Sequence, residues 1–355
     1  MSTPLPWPQP GYCTREDVKA ALDVAEPARN NEQIDRLIDG ASRSIEGALS
    51  RRFWPLHATI TLDWPDEQMP RAWRKWLDQW ELISADSIVN NGVALGAGDY
   101  FLRPDWGPPY RLIEINLGGS AAFGGGPTYQ RVITVTGLFG YRDDASPAGT
   151  LTAAVTDTTS TTVTLNNSAA SGVGSLIRVD NERMFITEKT YVSTGQTLQA
   201  PGLALSNGAT VMPVIDGTQF AHGEALIVDG ETVIITAITG NNLIVRRACE
   251  GSVLAAHTAG AVIYAPRQCT VTRGAAGSTA ATHANSAPVT VWTPPGLIRQ
   301  LAVAETTVAL IAESTGYAAH QAGLGTAAKV SFEKLTDLRD RALTAFGRQL
   351  RVRTA

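Results

Sequence analysis

The sequence is poor in charged residues. Asp, Glu, Lys and Arg make up only 17% of its 355 residues, against roughly 25% in an ordinary soluble protein. The formal net charge of −4 argues against a protein whose main task is to bind nucleic acid through its phosphates. Apolar residues nevertheless reach 44%, which excludes a wholly disordered chain. This composition favours strands that pack on other copies, so we expect an assembly protein rather than an enzyme.

Cysteine is also scarce, and its spacing excludes two classes of small domain. Cys13, Cys249 and Cys269 form no C-x-x-C pair, so neither a disulfide framework nor a cysteine-based zinc site is predicted. The first residues lack the basic and apolar regions of a signal peptide. The longest apolar stretch, at 297–311, is interrupted by charged residues. We therefore expect synthesis in a reducing cytoplasm and no membrane partner.

Known catalytic motifs are missing as well. The sequence contains no H-E-x-x-H and no G-x-S-x-G. The segment GLGTAAK at 323–329 lacks the second glycine that stands directly before the lysine of a phosphate-binding loop. We expect no catalytic residues, no metal and no cofactor.

Helical signals lie near both ends of the chain. Thr14 and Asp17 form an S/T-x-x-D helix start. Apolar residues at helical spacing predict a second helix over 32–51, and a third is expected after Pro294 and Pro295. The last predicted helix begins at Ser331.

Strand signals occupy the region from 58 to 141. Alternating segments such as RVITVT at 131–136 predict half-buried strands. A short helix is predicted at 70–77, and the glycine-rich segment 118–127 is typical of a loop.

The middle of the chain contains an internal repeat. GSLIRVDNERMFIT at 174–187 matches GEALIVDGETVIIT at 223–236, an offset of 49. The pattern R-x-x-x-G-S-x-x-A-x-H at 247–257 recurs at 273–283, an offset of 26. Two such matches predict small duplicated β-units.

These signals together predict an α+β protein. We expect a helical connector domain with a small β-sheet, interrupted by an all-β insert of duplicated short β-units. The expected domains are 1–142 for the N-terminal helices and sheet, 143–293 for the inserted repeat domain, and 294–355 for the C-terminal helices and a basic tail.

The outer parts of the chain resemble the head-to-tail connector (adaptor) family of tailed phages. The resemblance rests on YCTREDVKAAL at 12–22, IDRLIDGASRSIEGALSRRF at 34–53, VTGLFGY at 135–141 and the proline-led helix PGLI at 295–298, in that order. It covers roughly 10–141 and 292–350. Family members pass almost directly from G-Y to the proline-led helix, whereas about 150 residues intervene here.

The resemblance implies a structural protein of the virion neck. Its expected form is a homo-oligomeric ring, twelvefold by analogy with the family, that binds the portal protein and a head–tail stopper or another neck or tail protein. The genome would pass through the lumen without sequence-specific binding. A contact that faces the portal or the DNA is expected at the last helix and the basic tail, specifically at Phe346, Arg348, Leu350, Arg351 and Arg353.

Two other functional classes stay open at this point. The β-units could adhere to host glycan while the helical part anchors them, but aromatic residues are few between 143 and 293. A DNA-processing enzyme is disfavoured because no acid cluster or set of metal ligands is recognisable. The basic residues near the C-terminus could also form an unstructured tail.

The repeated acidic and histidine residues allow alternative interpretations. The pairs Asp180/Glu182 and Asp229/Glu231 could be catalytic carboxylates or calcium ligands, but solvated hairpin turns are the simpler interpretation. His257 and His283 could share a metal, but no Cys or His lies three to five residues away, so a structural role is favoured.

Tryptophan is concentrated in the first third of the chain. These residues could form a stacking surface for nucleic acid or sugar, or could anchor the core or a subunit interface, which is the favoured interpretation. They are Trp54, Trp64, Trp73, Trp76, Trp80 and Trp106.

Overall fold

The computed structural model describes residues 8–22, 31–64, 71–124, 127–314 and 325–348. The helices within these ranges are α1 (Arg15–Leu22), α2 (Asn31–Leu49), α3 (Gly296–Ser314) and α4 (Gly325–Phe346). The start of α1 is stabilised as the sequence predicted. The Thr14 amide donates to the Asp17 carboxylate and the Asp17 amide donates to the Thr14 hydroxyl, both at 3.1 Å.

Seventeen strands are assigned within the described ranges. The first seven are β1 (Leu56–Leu62), β2 (Arg74–Trp76), β3 (Leu82–Asn90), β4 (Val93–Ala94), β5 (Tyr100–Arg103), β6 (Leu112–Ile115) and β7 (Ile133–Phe139). The other ten are β8 (Ala145–Thr150), β9 (Thr162–Thr164), β10 (Leu176–Val179), β11 (Glu182–Thr197), β12 (Val211–Pro213), β13 (Ala225–Val228), β14 (Glu231–Thr239), β15 (Asn242–Arg246), β16 (Val262–Thr272) and β17 (Pro288–Trp292).

The expected fold class is wrong. The protein is predominantly β, with 36% strand and 21% helix, and not a helical connector with a small sheet. The strands outweigh the four helices of the described residues because β-branched residues recur through long strands such as β11, with 16 residues, and β16, with 11 residues. The helix predicted at 70–77 is also wrong, since β2 lies there.

The chain divides into two compact units. The first contains residues 1–45 and 145–345, and the second contains residues 46–144 and 346–355. The second unit has a four-stranded antiparallel sheet of order β1-β7-β3-β4 and a three-stranded sheet of order β2-β6-β5. Its core includes Ile88, Ile113 and Val135, all fully buried.

The first unit is built on a ten-stranded antiparallel sheet. Its order is β12-β15-β14-β13-β16-β11-β10-β17-β8, and β9 pairs with β16. Within this sheet, we call residues 145–191 and 267–292 the first β-unit and residues 192–266 the second β-unit. The second β-unit is therefore inserted into the hairpin formed by β11 and β16 of the first.

Strand pairing shows that the two β-units are copies of one fold. In the first, β10 pairs with β11 and β17; in the second, β13 pairs with β14 and with the start of β16. The two hydrophobic cores also correspond position by position. The matched core residues are Val163/Met212, Leu165/Val214, Ile177/Leu226, Val179/Val228, Met184/Val233 and Ile186/Ile235 at an offset of 49, and Leu243/Cys269, Val245/Val271, Ile263/Val289 and Ala265/Val291 at an offset of 26.

Candidate functional site

Each β-unit carries the repeated V-D-x-E motif at a tight hairpin. Asp180 and Asp229 have positive φ angles of 51° and 47°, a left-handed conformation that aspartate tolerates better than most residues. The turn places a glutamate, Glu182 or Glu231, at the first position of the next strand. The aspartate side chains are 57% and 56% exposed, whereas the glutamate side chains are fully buried.

In the first β-unit the buried carboxylate is held by an arginine and by two backbone amides. Arg273 donates from Nε to Glu182 Oε1 at 2.7 Å and from Nη2 to Oε2 at 2.8 Å. The amides of Gly274 and Ala281 donate to the same two oxygens at 3.0 and 2.9 Å. This bidentate arrangement is the strong geometry for an arginine–carboxylate pair.

A histidine completes the arrangement. His283 Nε2 lies 2.8 Å from Glu182 Oε2, and His283 Nδ1 lies 2.8 Å from Asp180 Oδ2. The imidazole is thus held between one buried and one exposed carboxylate. We call Asp180, Glu182, Arg273 and His283 the first cluster.

The second β-unit repeats this geometry. Arg247 donates to both oxygens of Glu231 at 2.7 Å, and His257 lies 2.9 Å from Glu231 and 3.0 Å from Asp229. The amides of Ala248 and Ala255 donate to Glu231 at 2.9 Å. We call Asp229, Glu231, Arg247 and His257 the second cluster.

Even the outer contacts of the two arginines correspond. Arg273 donates to the carbonyl oxygens of Asp157 and Ser160, and Arg247 donates to those of Ala204 and Ala209. Each arginine therefore connects a loop to the hairpin motif of its own β-unit.

The electrostatics indicate a structural role for both clusters. Burial alone would raise the pKa of Glu182, but hydrogen bonds from Arg273, Ala281 and His283 outweigh it and lower the pKa to about 2. The equivalent contacts lower the pKa of Glu231 to about 2. Each glutamate is thus an ion whose oxygens are already occupied, which is unsuited to proton transfer.

This geometry corrects the interpretation from sequence. The two aspartates do occupy solvated turns, but Glu182 and Glu231 are buried partners of arginine. His257 and His283 lie in separate clusters, so they do not share a site. No group of three or more His, Cys, Asp or Glu side chains suited to a metal ion is found within the described ranges.

Sequence reasoning missed the role of Arg247 and Arg273 in these clusters. Both arginines begin the second repeated pattern, R-x-x-x-G-S-x-x-A-x-H, which recurs as often as V-D-x-E. This joint recurrence of an acidic and a basic pattern is the signal that could have indicated the pairing.

Two of the five predicted C-terminal contact residues, Phe346 and Arg348, are described by the structure and lie in the second unit. The ring of Phe346 packs against Phe53 and Tyr141, with centroids 5.6 Å away from each, and Phe53 and Tyr141 are 5.5 Å apart. The Arg348 amide donates to the Leu49 carbonyl at 3.2 Å. The other three predicted contact residues, Leu350, Arg351 and Arg353, lie outside the described residues.

Beside this aromatic cluster lies a group of arginines. The Arg51 guanidinium lies 4.9 Å from the centroid of the Tyr141 ring and 2.9 Å from the Glu81 carboxylate. Arg111 approaches the same carboxylate at 3.0 Å. Burial and the positive charge of Arg111 lower the pKa of Arg348, against the attraction of Glu81.

The tryptophans divide between core and surface. Trp54 is fully buried, and Trp64, Trp73 and Trp80 are partly buried against the core of the second unit. Trp106 is 88% exposed. The interpretation as core anchors is therefore confirmed for Trp54, Trp64, Trp73 and Trp80, whereas Trp106 does not lie in the core.

Few aromatic side chains of the inserted region are available for stacking on a sugar. Phe185, Phe220 and Trp292 are buried, and Tyr264 is 40% exposed. This placement gives no support to the glycan-binding alternative.

The first unit also contains a cavity of about 830 Å³ lined by residues of α1, α3 and both β-units. Lys189 contributes a buried ammonium group, which donates to the carbonyl oxygens of Ser168 and Ser171 and lies 4.0 Å from Glu16. The charge of Lys189 is therefore satisfied by the protein itself.

Comparisons with protein families, curated proteins and solved structures find no match to this chain. None of the described helices is both long and apolar enough to cross a membrane.

Proposed function

We propose that this protein is a structural adaptor of the phage neck. It forms a homo-oligomeric, twelvefold ring that binds the portal on one side and a stopper or another neck or tail protein on the other. The genome passes through its lumen. The ring acts in the virion and assembles in the host cytoplasm, without a cofactor.

The observation that carries this proposal is the aromatic cluster of the second unit. Phe53 belongs to the R-R-F motif, Tyr141 ends the V-T-G-x-x-G-Y motif, and Phe346 ends the last helix. These residues are far apart in the sequence, yet their rings pack together. An adaptor domain interrupted by an insert requires such a return of the chain to its starting unit.

The buried clusters support a structural role for the insert. Each places an ionised glutamate, an arginine and a histidine inside one β-unit and uses their polar atoms for internal hydrogen bonds. We therefore propose that the β-units form a rigid collar that braces neighbouring subunits or neck proteins.

Electron cryo-microscopy of the neck of particles that contain this chain tests the location. We expect a ring of this chain between portal and tail, with the β-units on its outside. Mass photometry of the assembled complex gives the number of copies. Finding the chain only at the tail tip or on the capsid surface would contradict the proposal and favour adhesion.

A pair of charge reversals tests the portal contact. The double variant R351E/R353E is expected to lose most of its co-sedimentation with the portal protein of the same phage. Arg341→Glu is the matched control, because Arg341 is exposed on α4 and pairs only weakly with Asp337 at 3.7 Å. Equal binding by both variants would place the portal contact elsewhere.

A further inference from the structure

Strand β1 forms one edge of the four-stranded sheet of the second unit. It pairs with β7 through seven consecutive residues without a bulge, and no other strand of the described residues pairs with it. An edge strand presents a row of unpaired N–H and C=O groups, which invites another strand to add to the sheet.

The other sheet edges of the described residues are short or interrupted. β4 has two residues, and β2 and β12 have three each, with Pro213 in β12. β5 has four residues, and β8 contains Pro147. By contrast, β1 reads LHATITL, with no proline and no Lys, Arg, Asp or Glu. It therefore lacks the proline and the charged side chains by which many proteins protect an exposed edge.

Hydrogen bonds at the two ends of β7 show which backbone groups of β1 face outward. The backbone carbonyl of Val132 accepts from the backbone amide of Asn91, and the backbone amide of Gly140 donates to the backbone carbonyl of Glu81. Asn91 and Glu81 flank β3, so the even-numbered positions of β7 face β3. The odd-numbered residues of β7 therefore face β1 and pair with its even-numbered residues. By the same alternation, the N–H and C=O groups of His57, Thr59 and Thr61 face the free edge.

The sequence of β1 is complementary to itself in an antiparallel pair centred on Thr59. On the buried face Leu56 would lie opposite Leu62, and Ala58 opposite Ile60. On the exposed face His57 would lie opposite Thr61, and Thr59 opposite its own copy. No acidic or basic pair meets across this register, and the outward groups supply about six main-chain hydrogen bonds.

We propose that two copies of this chain pair through the β1 edge. Antiparallel pairing about a two-fold axis at Thr59 joins the two four-stranded sheets into one continuous sheet of eight strands. A two-fold contact closes after two copies, so it is distinct from the head-to-tail contact of a ring. The proposal therefore concerns the free chain before it assembles into a ring, and stands apart from the adaptor function.

Sedimentation equilibrium of the full chain tests the pairing. We expect a dimer for the wild type and at least a tenfold weaker dimer for Thr59→Pro, which removes an outward N–H without touching the β7 ladder. Thr59→Ala is the matched control, because it removes only the side-chain bond to Thr136. A wild type that remains monomeric at about 100 µM overturns the proposal.

A charge swap at the two-fold axis tests the register even if the proline variant does not fold. Thr59→Lys and Thr59→Glu each place two like charges opposite one another, so each alone should dimerise at least about fivefold more weakly. A mixture of the two should restore the dimer as a lysine–glutamate heterodimer. Failure of the mixture to recover overturns pairing at Thr59, whereas a ring seen by mass photometry reports on the adaptor function separately.

Discussion

The second cluster makes a quantitative prediction for the substitution Glu231→Gln. The change keeps the side-chain volume but removes the negative charge beside Arg247, whose side chain is 1% exposed. It also puts an amide donor where one oxygen now accepts hydrogen bonds. Leaving one partner of a buried ion pair uncompensated costs roughly 3–5 kcal/mol.

This loss is large against the total stability of a domain, which is roughly 5–15 kcal/mol. We expect the urea midpoint to fall and the melting temperature to drop by on the order of 10 °C. Hydrogen exchange should locate the weakening in the second β-unit, around 225–260. These measurements require only the purified chain.

A nearby substitution provides the matched control. Asp229→Asn also removes a carboxylate that contacts His257, but the Asp229 side chain is 56% exposed. A solvated partner of this kind contributes no more than about 1 kcal/mol. If Glu231→Gln were as mild as Asp229→Asn, the buried ion pair would not be the stabilising element of the cluster.

The buried glutamates, the inserted β-unit and two glycines give three further predictions. Glu182 and Glu231 have pKa values lowered from 4.5 to about 2. The stability that they contribute is therefore present above pH 4.5 and is lost as the pH falls toward 2. Urea titrations at several pH values should show this loss. Replacing 192–266 by Gly-Asn should leave the core of the first β-unit folded by circular dichroism and hydrogen exchange. Gly137→Ala should destabilise the protein in thermal denaturation, because a methyl group would overlap a carbonyl of β3, whereas Gly40→Ala in open space on α2 should stabilise it by about 1 kcal/mol.

Local patterns were sufficient to predict individual elements. Helical periodicity over 32–51 predicted α2, which spans Asn31–Leu49. The hairpins at V-D-x-E follow from β-branched residues on either side of an Asp-Asn or Asp-Gly turn. These signals are readable because they depend on neighbours a few residues apart.

The order of the repeated patterns also carries information about how the two β-units are arranged. The two copies of V-D-x-E are followed by the two copies of R-x-x-x-G-S-x-x-A-x-H, and their offsets of 49 and 26 differ. A tandem duplication would give one offset for both patterns. Two different offsets are what results when one copy lies inside the other, and the pairing of β11 with β16 shows this arrangement.

The partners within each cluster could not be read from spacing alone. Glu182 and Arg273 are 91 residues apart, and the distance along the chain is set by the inserted second β-unit. Glu231 and Arg247 are only 16 residues apart, because nothing is inserted between them. The predicted fold class was wrong for a related reason. The strands β11 and β16 run through both β-units, and their length depends on pairing between residues far apart in the sequence.

The two copies differ in chemistry at the junction between the β-units. Glu224 is fully buried and accepts from Arg267 at 2.8 and 3.0 Å and from the Ser168 hydroxyl at 2.7 Å. Its equivalent in the first copy, 49 residues earlier, is Ser175. Because Glu224 belongs to the second β-unit while Arg267 and Ser168 belong to the first, these buried hydrogen bonds connect the two β-units where β11 and β16 cross from one to the other.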